Sequence, residues 1–496
     1  MKKLFSYSFI TTVFAGCVGF YFLGQHFESP NRLPSSLEDR PPAIQLLDEI
    51  GYKLESKSDW EGLCSPEMSQ YYNDAFLKFP LEENIYSIPQ NEMSALVDQS
   101  FKTRLALRSK LQGFDMDAAG AKECWAQVRG LYRNLRYLED YLIEAQMPST
   151  ATTSDYTTLE GDGSFFLKNP DFQITNAYSL QSGDVILSRG NAFVSALIAR
   201  ITDIPNQFSH ISFVYKDNDG KLWTIESHIE IGAVVAPIVN HVDEKNARTV
   251  VFRYKDQKVS HAAAEYIFKL VKSQQATGKN VQYDFGMGLD DPKRLFCSEV
   301  AYQGFWLAAK VSIPKYKNRF PSGLVPFLKD LGVKVTDKNV LTFETFSPGD
   351  IEYDTDFALV AEWRNPAKMK LSRFRDALMS KEVEWMADKE YGFFPGFKTD
   401  LKAYMGWLAR RTPIVKKKLE EKFPLNMTPG QMQVNMAVEE VSGQIENKLF
   451  EAMKAADHQY TYDEMLETLE KLREEDLATY NKGEKSVFHQ HFHPKK

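Results

Sequence analysis

The sequence predicts an α+β fold, in which an antiparallel sheet packs on helices and further helical regions lie before and after it. Residues 208–227 contain two runs of alternating apolar residues, separated by the turn sequence Asp217-Asn218-Asp219-Gly220. This pattern is typical of a β-hairpin. Residues 43–146, and much of the chain after residue 365, instead carry apolar residues at spacings of three and four, which indicates amphipathic helices.

Length and composition limit the class of protein. A chain of 496 residues predicts two to four domains, and 43% hydrophobic with 26% charged residues is ordinary for a folded protein. The net charge of -7 argues against a nucleic-acid binder, which needs a basic face for phosphate contacts. The cysteines are isolated, at positions 17, 64, 124 and 297, so no zinc-type spacing exists. We expect no metal, no cofactor and no nucleic-acid partner.

The first residues predict a link to a membrane. Met1-Lys2-Lys3 precedes an uncharged, mostly apolar run from Leu4 to Gly24, which at ~1.5 Å per residue is long enough to cross a bilayer core of ~30 Å. One interpretation is an uncleaved anchor with its basic end in the cytoplasm. The other is a lipoprotein signal, because Phe14-Ala15-Gly16-Cys17 resembles a lipobox, although the apolar run continues past Cys17 and so favours the anchor. Either way, we expect a protein of the bacterial cell envelope, anchored in the inner membrane or lipid-modified, with a periplasmic or otherwise extracytoplasmic body.

Composition divides the chain into six parts. Prolines at positions 30, 34, 41 and 42 mark one linker, and a stretch rich in Ser, Thr, Asp and Gly marks another. We predict a membrane anchor or lipoprotein signal over 1–24, a linker over 25–42, a helical domain over 43–147, a linker over 148–170, a domain with the hairpin over 171–365 and a helical C-terminal region over 366–496. If the chain is exported, Cys64 and Cys124 are candidates for a disulfide, which their spacing does not decide.

Cys297 is the candidate nucleophile. It opens an amphipathic segment in which Val300 and residues 302–306 form an apolar face, and the charged loop 290–294 leads into it. We therefore expect Cys297 at or near a helix N-terminus. The unpaired N–H groups and the dipole of a helix start stabilise the thiolate, which is the reactive form of cysteine. The alternative is a buried, inert core cysteine, so a nucleophile needs partner residues.

His210 and Glu226 are the candidate partners, one on each strand of the predicted hairpin. The turn decides which residue stands opposite His210. An odd-numbered loop with Gly220 as a bulge residue places Glu226 or His228 there, and a two-residue loop places a serine there. A carboxylate on one imidazole nitrogen fixes the tautomer and leaves the other nitrogen free to accept a thiol proton. His228 and His241 are the alternatives to His210.

Five short motifs occur in an order that resembles a known family. They are residues 180–187, 208–212, 225–226, 282–285 and 296–300. Together they resemble the circularly permuted NlpC/P60 hydrolases and, within these, the YaeF/YiiX-like permuted papain-like amidases. The resemblance extends over about residues 175–365. It implies a permuted papain-like domain over 171–365, with a His on one strand, a Glu on the next strand and the nucleophilic Cys last, on a helix.

The resemblance also implies roles for individual residues. Cys297 is the implied nucleophile, His210 the general base and Glu226 the acid that orients the base. Tyr283 is the implied contributor to an oxyanion site, although Gln282 stands where the family has Pro.

The function that follows is a membrane-tethered cysteine hydrolase of amidase or peptidase type, with acyl transfer as a related reaction. The resemblance implies an amide or acyl bond in a cell-wall peptide or in an acylated, lipid-like substrate, and it does not choose between them. The alternative is a non-enzymatic envelope scaffold that keeps the fold as a binding module. The two functions differ in whether Cys297, His210 and Glu226 converge.

The C-terminal region is predicted to be helical and charged. Residues 464–476 place Leu466, Leu469 and Leu472 on one side of a helix. Charge-rich helices usually expose a solvated face, and a surface for protein partners is the alternative. We interpret residues 489–493, with their three histidines, as a disordered end, with weak metal binding as the alternative.

Overall fold

The structure, a computed structural model, describes residues 42–69, 88–147, 157–161, 163–241, 246–412, 426–456 and 460–495. The predicted anchor or lipoprotein signal, and residues 25–41 of the first predicted linker, lie outside the described residues. Within the described ranges, no helix combines the length and the apolar character needed to span a membrane.

Helices come first in the described chain. They are α1 (Pro42–Glu55), α2 (Trp60–Leu63), α3 (Gln90–Ser109) and α4 (Ala121–Gln146). The apolar stripe that predicts α4 is buried, including Trp125, Leu131 and Leu138. A disulfide joins Cys64, directly after α2, to Cys124 in the first turn of α4, with 5.4 Å between the Cα atoms. The pairing that the sequence leaves open is therefore formed.

An antiparallel sheet of seven strands follows. Its strands are β1 (Phe166–Lys168), β2 (Val185–Gly190), β3 (His210–Lys216), β4 (Leu222–His228), β5 (Gly232–Pro237), β6 (Asn246–Tyr254) and β7 (Phe357–Arg364). They lie in the order β1-β7-β6-β2-β3-β4-β5, and each neighbouring pair is antiparallel. Strand β1 falls inside the segment 148–170 that composition marks as a linker. It is a strand because Phe166 and Leu167 are buried while it pairs with β7.

The two faces of the sheet pack into different cores, as the alternation of side chains along a strand requires. On β2, Val185 and Leu187 belong to a large core that also contains Val128 and Leu135 of α4, whereas Ile186 belongs to a smaller core on the other face. The N-terminal helices are thus packed directly on the sheet. This arrangement agrees with the predicted α+β class.

A buried ionic network joins the N-terminal helices to the sheet. Arg136 of α4 donates to Glu362 of β7 through Nε (2.8 Å) and to Glu352 through Nη1 (3.1 Å). Arg104 of α3 donates to Glu139 through Nε (2.8 Å), and its Nη1 lies 2.9 Å from Glu362. Every one of these side chains is almost completely buried. Buried charges require such pairing, because desolvation otherwise costs more than the fold can supply.

Helices α5 to α8 occupy the connections between strands. They are α5 (Phe193–Arg200), α6 (Gln257–Ala276), α7 (Cys297–Ala309) and α8 (Val325–Asp330). Short 3₁₀ helices lie at Ala177–Ser179, Ile238–Asn240, Ser322–Leu324 and Pro348–Tyr353. Helices α6 and α7 bury Ile267 and Val300 in the large core. The sheet therefore carries α7, with Cys297 at its first residue, on its helical side.

The C-terminal region is helical and shares a core with α5 and with residues 320–340. It contains α9 (Pro366–Asp388), α10 (Phe397–Ala409), α11 (Pro429–Ala455) and α12 (Tyr462–Asn481), and a two-stranded sheet of β8 (Tyr391–Phe393) and β9 (Phe492–Pro494). Leu469 is fully buried in this core, and Leu466 packs against it. The predicted apolar side of α12 thus faces inward.

The end of the chain corrects the prediction of a disordered tip. Phe492 pairs with Phe393 in the small sheet and is fully buried. His489 is also fully buried, and its Nδ1 lies 2.8 Å from Oδ2 of Asp476. The tip is ordered because Phe492 packs against Trp385 of α9 and because Asp476 gives His489 a buried polar partner.

Candidate active site

Cys297 is the first residue of α7, and only 5% of it is exposed. Other helices begin after a residue whose side-chain oxygen accepts hydrogen bonds from the first turn: Asp256 for α6, Asn365 for α9, Thr428 for α11 and Thr461 for α12. Helix α7 begins after Phe296, which has no polar side chain. Because the first N–H groups of a helix lack partners within it, the start of α7 offers donors and a positive dipole end to Cys297.

His210 is the first residue of β3, and Glu226 lies on β4. The strands are joined by Asp217–Lys221, an odd number of residues in which Gly220 adopts a left-handed conformation with φ of +79°. The register pairs Glu226 with Ser212, two positions after His210. Extending the same register by two residues places His228 opposite His210. The odd-numbered loop is confirmed, and Glu226 reaches His210 diagonally along the same face.

Glu226 contacts three histidines. Its Oε2 lies 3.0 Å from Nε2 of His210 and 3.6 Å from Nε2 of His228, and its Oε1 lies 3.1 Å from Nδ1 of His241. Burial by itself raises the pKa of Glu226, but His241 and His210 outweigh burial and hold this pKa well below its usual range. Glu226 is therefore a carboxylate near neutral pH. His228 and His241, the predicted alternatives to His210, belong to the same cluster.

The imidazole of His210 also hydrogen-bonds the thiol of Cys297. Burial by itself lowers the pKa of His210, but the hydrogen bonds with Cys297 and Glu226 raise it to about 10. Burial raises the pKa of the Cys297 thiol. The hydrogen bond and the charge of His210 outweigh burial, so this pKa is lowered overall. The Ser298 hydroxyl, 3.9 Å from the sulfur, and the N–H of Ile211 also lower it. Both shifts favour a thiolate beside an imidazolium. The predicted residues Cys297, His210 and Glu226 are brought together.

The side chain of Tyr283 reaches the same thiol. Burial, followed by the charge of Cys297, raises the pKa of Tyr283 well above its usual value, and the hydroxyl hydrogen-bonds Cys297. Tyr283 is thus a protonated donor. Its backbone is held on both sides, because the N–H of Leu295 donates to the carbonyl of Gln282 (3.0 Å) and Nδ2 of Asn426 donates to the carbonyl of Tyr283 (2.5 Å).

Glu299 is a member of the site that the sequence analysis does not single out. It lies in the first turn of α7, where its Oε2 accepts from the N–H of Phe296 (3.3 Å) and its Oε1 accepts from Nε2 of Gln303 (3.0 Å). Burial raises the pKa of Glu299 to about 9. Its carboxyl is therefore neutral near pH 7 and adds no negative charge next to Cys297. The available signal is its position three residues into the helix start, where a glutamate returns to the first N–H.

Part of the chain matches the model of a known family. The model of the family described as permuted papain-like amidase enzyme, YaeF/YiiX, C92 family, matches residues 179–321. This segment is similar to permuted papain-like amidases. The resemblance predicted from the sequence is confirmed, and it supports a hydrolase function of amidase type. We refer to residues 179–321 as the amidase-like domain.

One solved structure is also similar, that of the metalloprotein yiiX from Escherichia coli O157:H7. The two proteins share 20% sequence identity with a TM-score of 0.27, and the match covers 36% of this chain and 96% of the other. No curated protein matches the chain.

A mostly apolar cavity adjoins Cys297. Most of its lining is apolar: Val194, Leu197, Ile198, Ile201, Ile229, Phe285, Met287, Phe296, Phe320, Leu331, Val333, Phe346 and Met427. The polar residues in the wall with Cys297 are Thr202, Tyr283, Ser298, Thr345, Ser347 and Asn435. Met427 and Asn435 belong to the C-terminal region, which therefore builds part of the cavity wall.

Three side chains of the site also form a group that a metal ion could use. Within the described ranges, one atom each of His210, Glu226 and His228 lie within 4.8 Å of one another. Imidazole nitrogens and carboxylate oxygens are zinc ligands. A metal at this position would bind Oε2 of Glu226 and Nε2 of His210, the two atoms that lie 3.0 Å apart. Metal binding and the contact of His210 with Glu226 are therefore competing uses of the same atoms.

Proposed function

We propose that the chain is a membrane-tethered cysteine hydrolase that cleaves an amide or acyl bond through Cys297, His210 and Glu226. The observation that carries this proposal is the continuous chain of contacts from the thiol to the imidazole to the carboxylate. The sulfur of Cys297, at one end of these contacts, lies in the wall of the apolar cavity, where a substrate can reach it.

In the first half of the reaction, the thiolate of Cys297 attacks the carbonyl carbon of the substrate. The tetrahedral intermediate collapses when the imidazolium of His210 gives its proton to the leaving nitrogen or oxygen. The bond to the leaving group breaks, an amine or alcohol departs, and a thioester on Cys297 remains. Glu226 keeps the ring of His210 in position and stabilises its positive charge.

In the second half, the neutral imidazole of His210 takes a proton from water. The resulting hydroxide attacks the thioester carbonyl, the carbon–sulfur bond breaks, and the free acid leaves. Cys297 and His210 return to the thiolate and imidazolium states, so the cycle needs no redox partner. An amine or alcohol in place of water would turn the same step into acyl transfer.

The negative oxygen of each tetrahedral intermediate requires donors that are already in place. The hydroxyl of Tyr283 is one such donor, since its pKa lies well above the usual value and it faces the sulfur. The backbone N–H groups at the start of α7 are the others. This assignment agrees with the role that the family resemblance implies for Tyr283.

The cavity supports an acylated substrate more than a cell-wall peptide. Ligand sites are lined by groups that match their ligand, and a peptide needs partners for its amide groups. The lining next to Cys297 is mostly aliphatic and aromatic, which suits a hydrocarbon chain. A short peptide remains the second candidate substrate.

The proposed location is the extracytoplasmic side of a bacterial membrane. The apolar run Leu4–Gly24 supports a tether. The disulfide between Cys64 and Cys124 supports an oxidising compartment, where such bonds persist.

A pair of matched substrates tests the proposal. One amide carries a long acyl chain, and its control has the same leaving amine with an acetyl group; a cell-wall peptide is the third compound. We expect turnover of the long-chain amide by the wild type and none by Cys297→Ala. Folded protein that hydrolyses none of the three compounds would support the non-enzymatic scaffold instead.

Metal ions provide a further prediction. Because the proposed cycle uses the contact between His210 and Glu226, chelators should leave turnover unchanged, and added Zn²⁺ should inhibit it by occupying those atoms. Loss of turnover on chelation, with recovery on adding the metal, would contradict the metal-free cycle.

A further inference from the structure

Helix α10 carries an exposed apolar face. Phe397, Leu401, Tyr404, Met405 and Leu408 are 79%, 50%, 51%, 54% and 45% exposed. Their spacings of three and four place them on one side of the helix. A single exposed apolar residue is ordinary, but a contiguous patch on one helix face marks an interaction surface.

The opposite side of α10 is fixed to the molecule. Ala403 and Gly406 are buried there, and Oγ1 of Thr399 donates to Oε2 of Glu440 on α11 (2.8 Å). At the C-terminal end, Nη2 of Arg410 lies 3.5 Å from the carbonyl of Glu230, which follows β4. The apolar face therefore points outward from a helix that packing holds in place.

Basic residues border this face. Lys398 and Lys402 are exposed and, at about 100° per residue, lie together along one edge of it. Arg411, also exposed, follows at the C-terminal end, and Asp400 is the one acidic residue in the sequence 397–411. An apolar face with a basic border is the pattern of helices that lie in the surface of an anionic bilayer.

A candidate membrane segment precedes the described residues. Residues 25–41 separate the apolar run Leu4–Gly24 from α1, and 17 residues span at most roughly 60 Å when extended. We propose that the exposed face of α10 docks on the surface of an anionic phospholipid bilayer. The buried side of α10 packs with Ile229, Phe285 and Met427, which also line the cavity. Docking thus holds the cavity beside the membrane, whatever reaction Cys297 catalyses.

Photocrosslinking in the full chain tests this proposal. The purified protein is reconstituted into vesicles of phosphatidylcholine and phosphatidylglycerol with p-benzoylphenylalanine in place of Leu401. The matched control carries the same probe in place of Leu341, which is 76% exposed elsewhere on the surface. An unchanged melting temperature confirms that each variant is folded.

We expect phospholipid adducts at position 401 at least several-fold above those at 341, and fewer adducts at 401 after Lys398→Glu with Lys402→Glu. Equal lipid adducts at both positions would mean that the tether alone brings the whole surface near lipid, and this would overturn the proposal. Adducts at 401 to a second copy of the chain would overturn it in favour of self-association. An absence of lipid adducts at 401 would also overturn it.

Discussion

Glu226 contacts three imidazoles, and its two oxygens have different tasks. Oε2 meets His210, which contacts the sulfur, whereas Oε1 meets His241, which does not line the cavity. His241 is thus a positioning residue that keeps the carboxylate pointed at His210. We therefore expect kcat/KM to fall more when the charge on Glu226 is lost than when the imidazole of His241 is lost.

Substitution of Glu226 tests this ranking. Glu226→Gln keeps the shape but removes the charge that raises the pKa of His210, so we expect kcat/KM to fall by roughly 10²–10⁴. His241→Gln removes one of the two histidines that lower the pKa of Glu226, but His210 remains, so we expect a smaller fall in kcat/KM. Steady-state kinetics over pH measures both effects. A larger loss in His241→Gln than in Glu226→Gln would contradict the division of tasks.

The sequence predicts the three side chains that converge on the thiol but not the residues packed around them. Cys297, His210 and Glu226 lie in short motifs with a recognisable order. His241 meets Glu226 only because the chain returns after β5 through a 3₁₀ helix, and no local pattern encodes that return. Glu299 resembles an ordinary exposed glutamate in sequence, because its burial depends on distant parts of the fold.

At the scale of the element, α7 combines an uncapped start with a neutral glutamate. Burial raises the pKa of Glu299 to about 9, compared with about 4.3 in an unfolded chain. Folding therefore takes up a proton between these two pH values, and the free energy of unfolding decreases as pH rises through this window. The neutral carboxyl preserves the positive end of the helix dipole for Cys297.

Glu299→Gln should remove this pH dependence. The amide keeps an acceptor for the N–H of Phe296 and cannot ionise, so we expect unfolding free energies that change less between about pH 5 and pH 9 than in the wild type. Urea unfolding across that range measures the slope, with Glu265→Gln on the surface of α6 as the control. An unchanged slope in Glu299→Gln would mean that the carboxyl is already ionised in the folded protein.

Element boundaries can be predicted from the sequence where apolar residues are regularly spaced. They cannot be predicted where a strand forms only by pairing with a distant part of the chain. The stripe of α4 and the hairpin of β3 and β4 follow from local patterns. Strand β1 has three residues and exists through its pairing with β7, almost two hundred positions later. Strand β9 likewise depends on β8. Such long-range pairing overrides a composition that by itself indicates a linker or a loose end.

At the scale of the whole molecule, the buried ionic network determines how the helical region sits on the sheet. Charged residues on a helix usually predict a solvated face, so no local pattern indicates that Arg104 and Arg136 are buried. Both reach Glu362 of β7. The N-terminal helices and the seven-stranded sheet are therefore joined by buried ion pairs.

Arg136→Met tests this coupling. The substitution leaves Glu352 and Glu362 buried without one of their partners, so we expect a loss of about 3–5 kcal/mol in unfolding free energy. Lys269→Met breaks the exposed pair with Glu265 and should cost far less, because water screens an exposed ion pair. Chemical denaturation measures both. Similar costs for the two variants would indicate that the network contributes little to the packing of helices on the sheet.

The central claim is that Cys297 is a thiolate activated by His210. The most direct test is the rate of alkylation of Cys297 by iodoacetamide against pH, followed by mass spectrometry of its own peptide, in wild type and His210→Ala. We predict a midpoint clearly below the ~8.5 of a free thiol in the wild type, and a return towards that value in His210→Ala. An unreactive Cys297, or a midpoint that is the same in both proteins, would contradict the account.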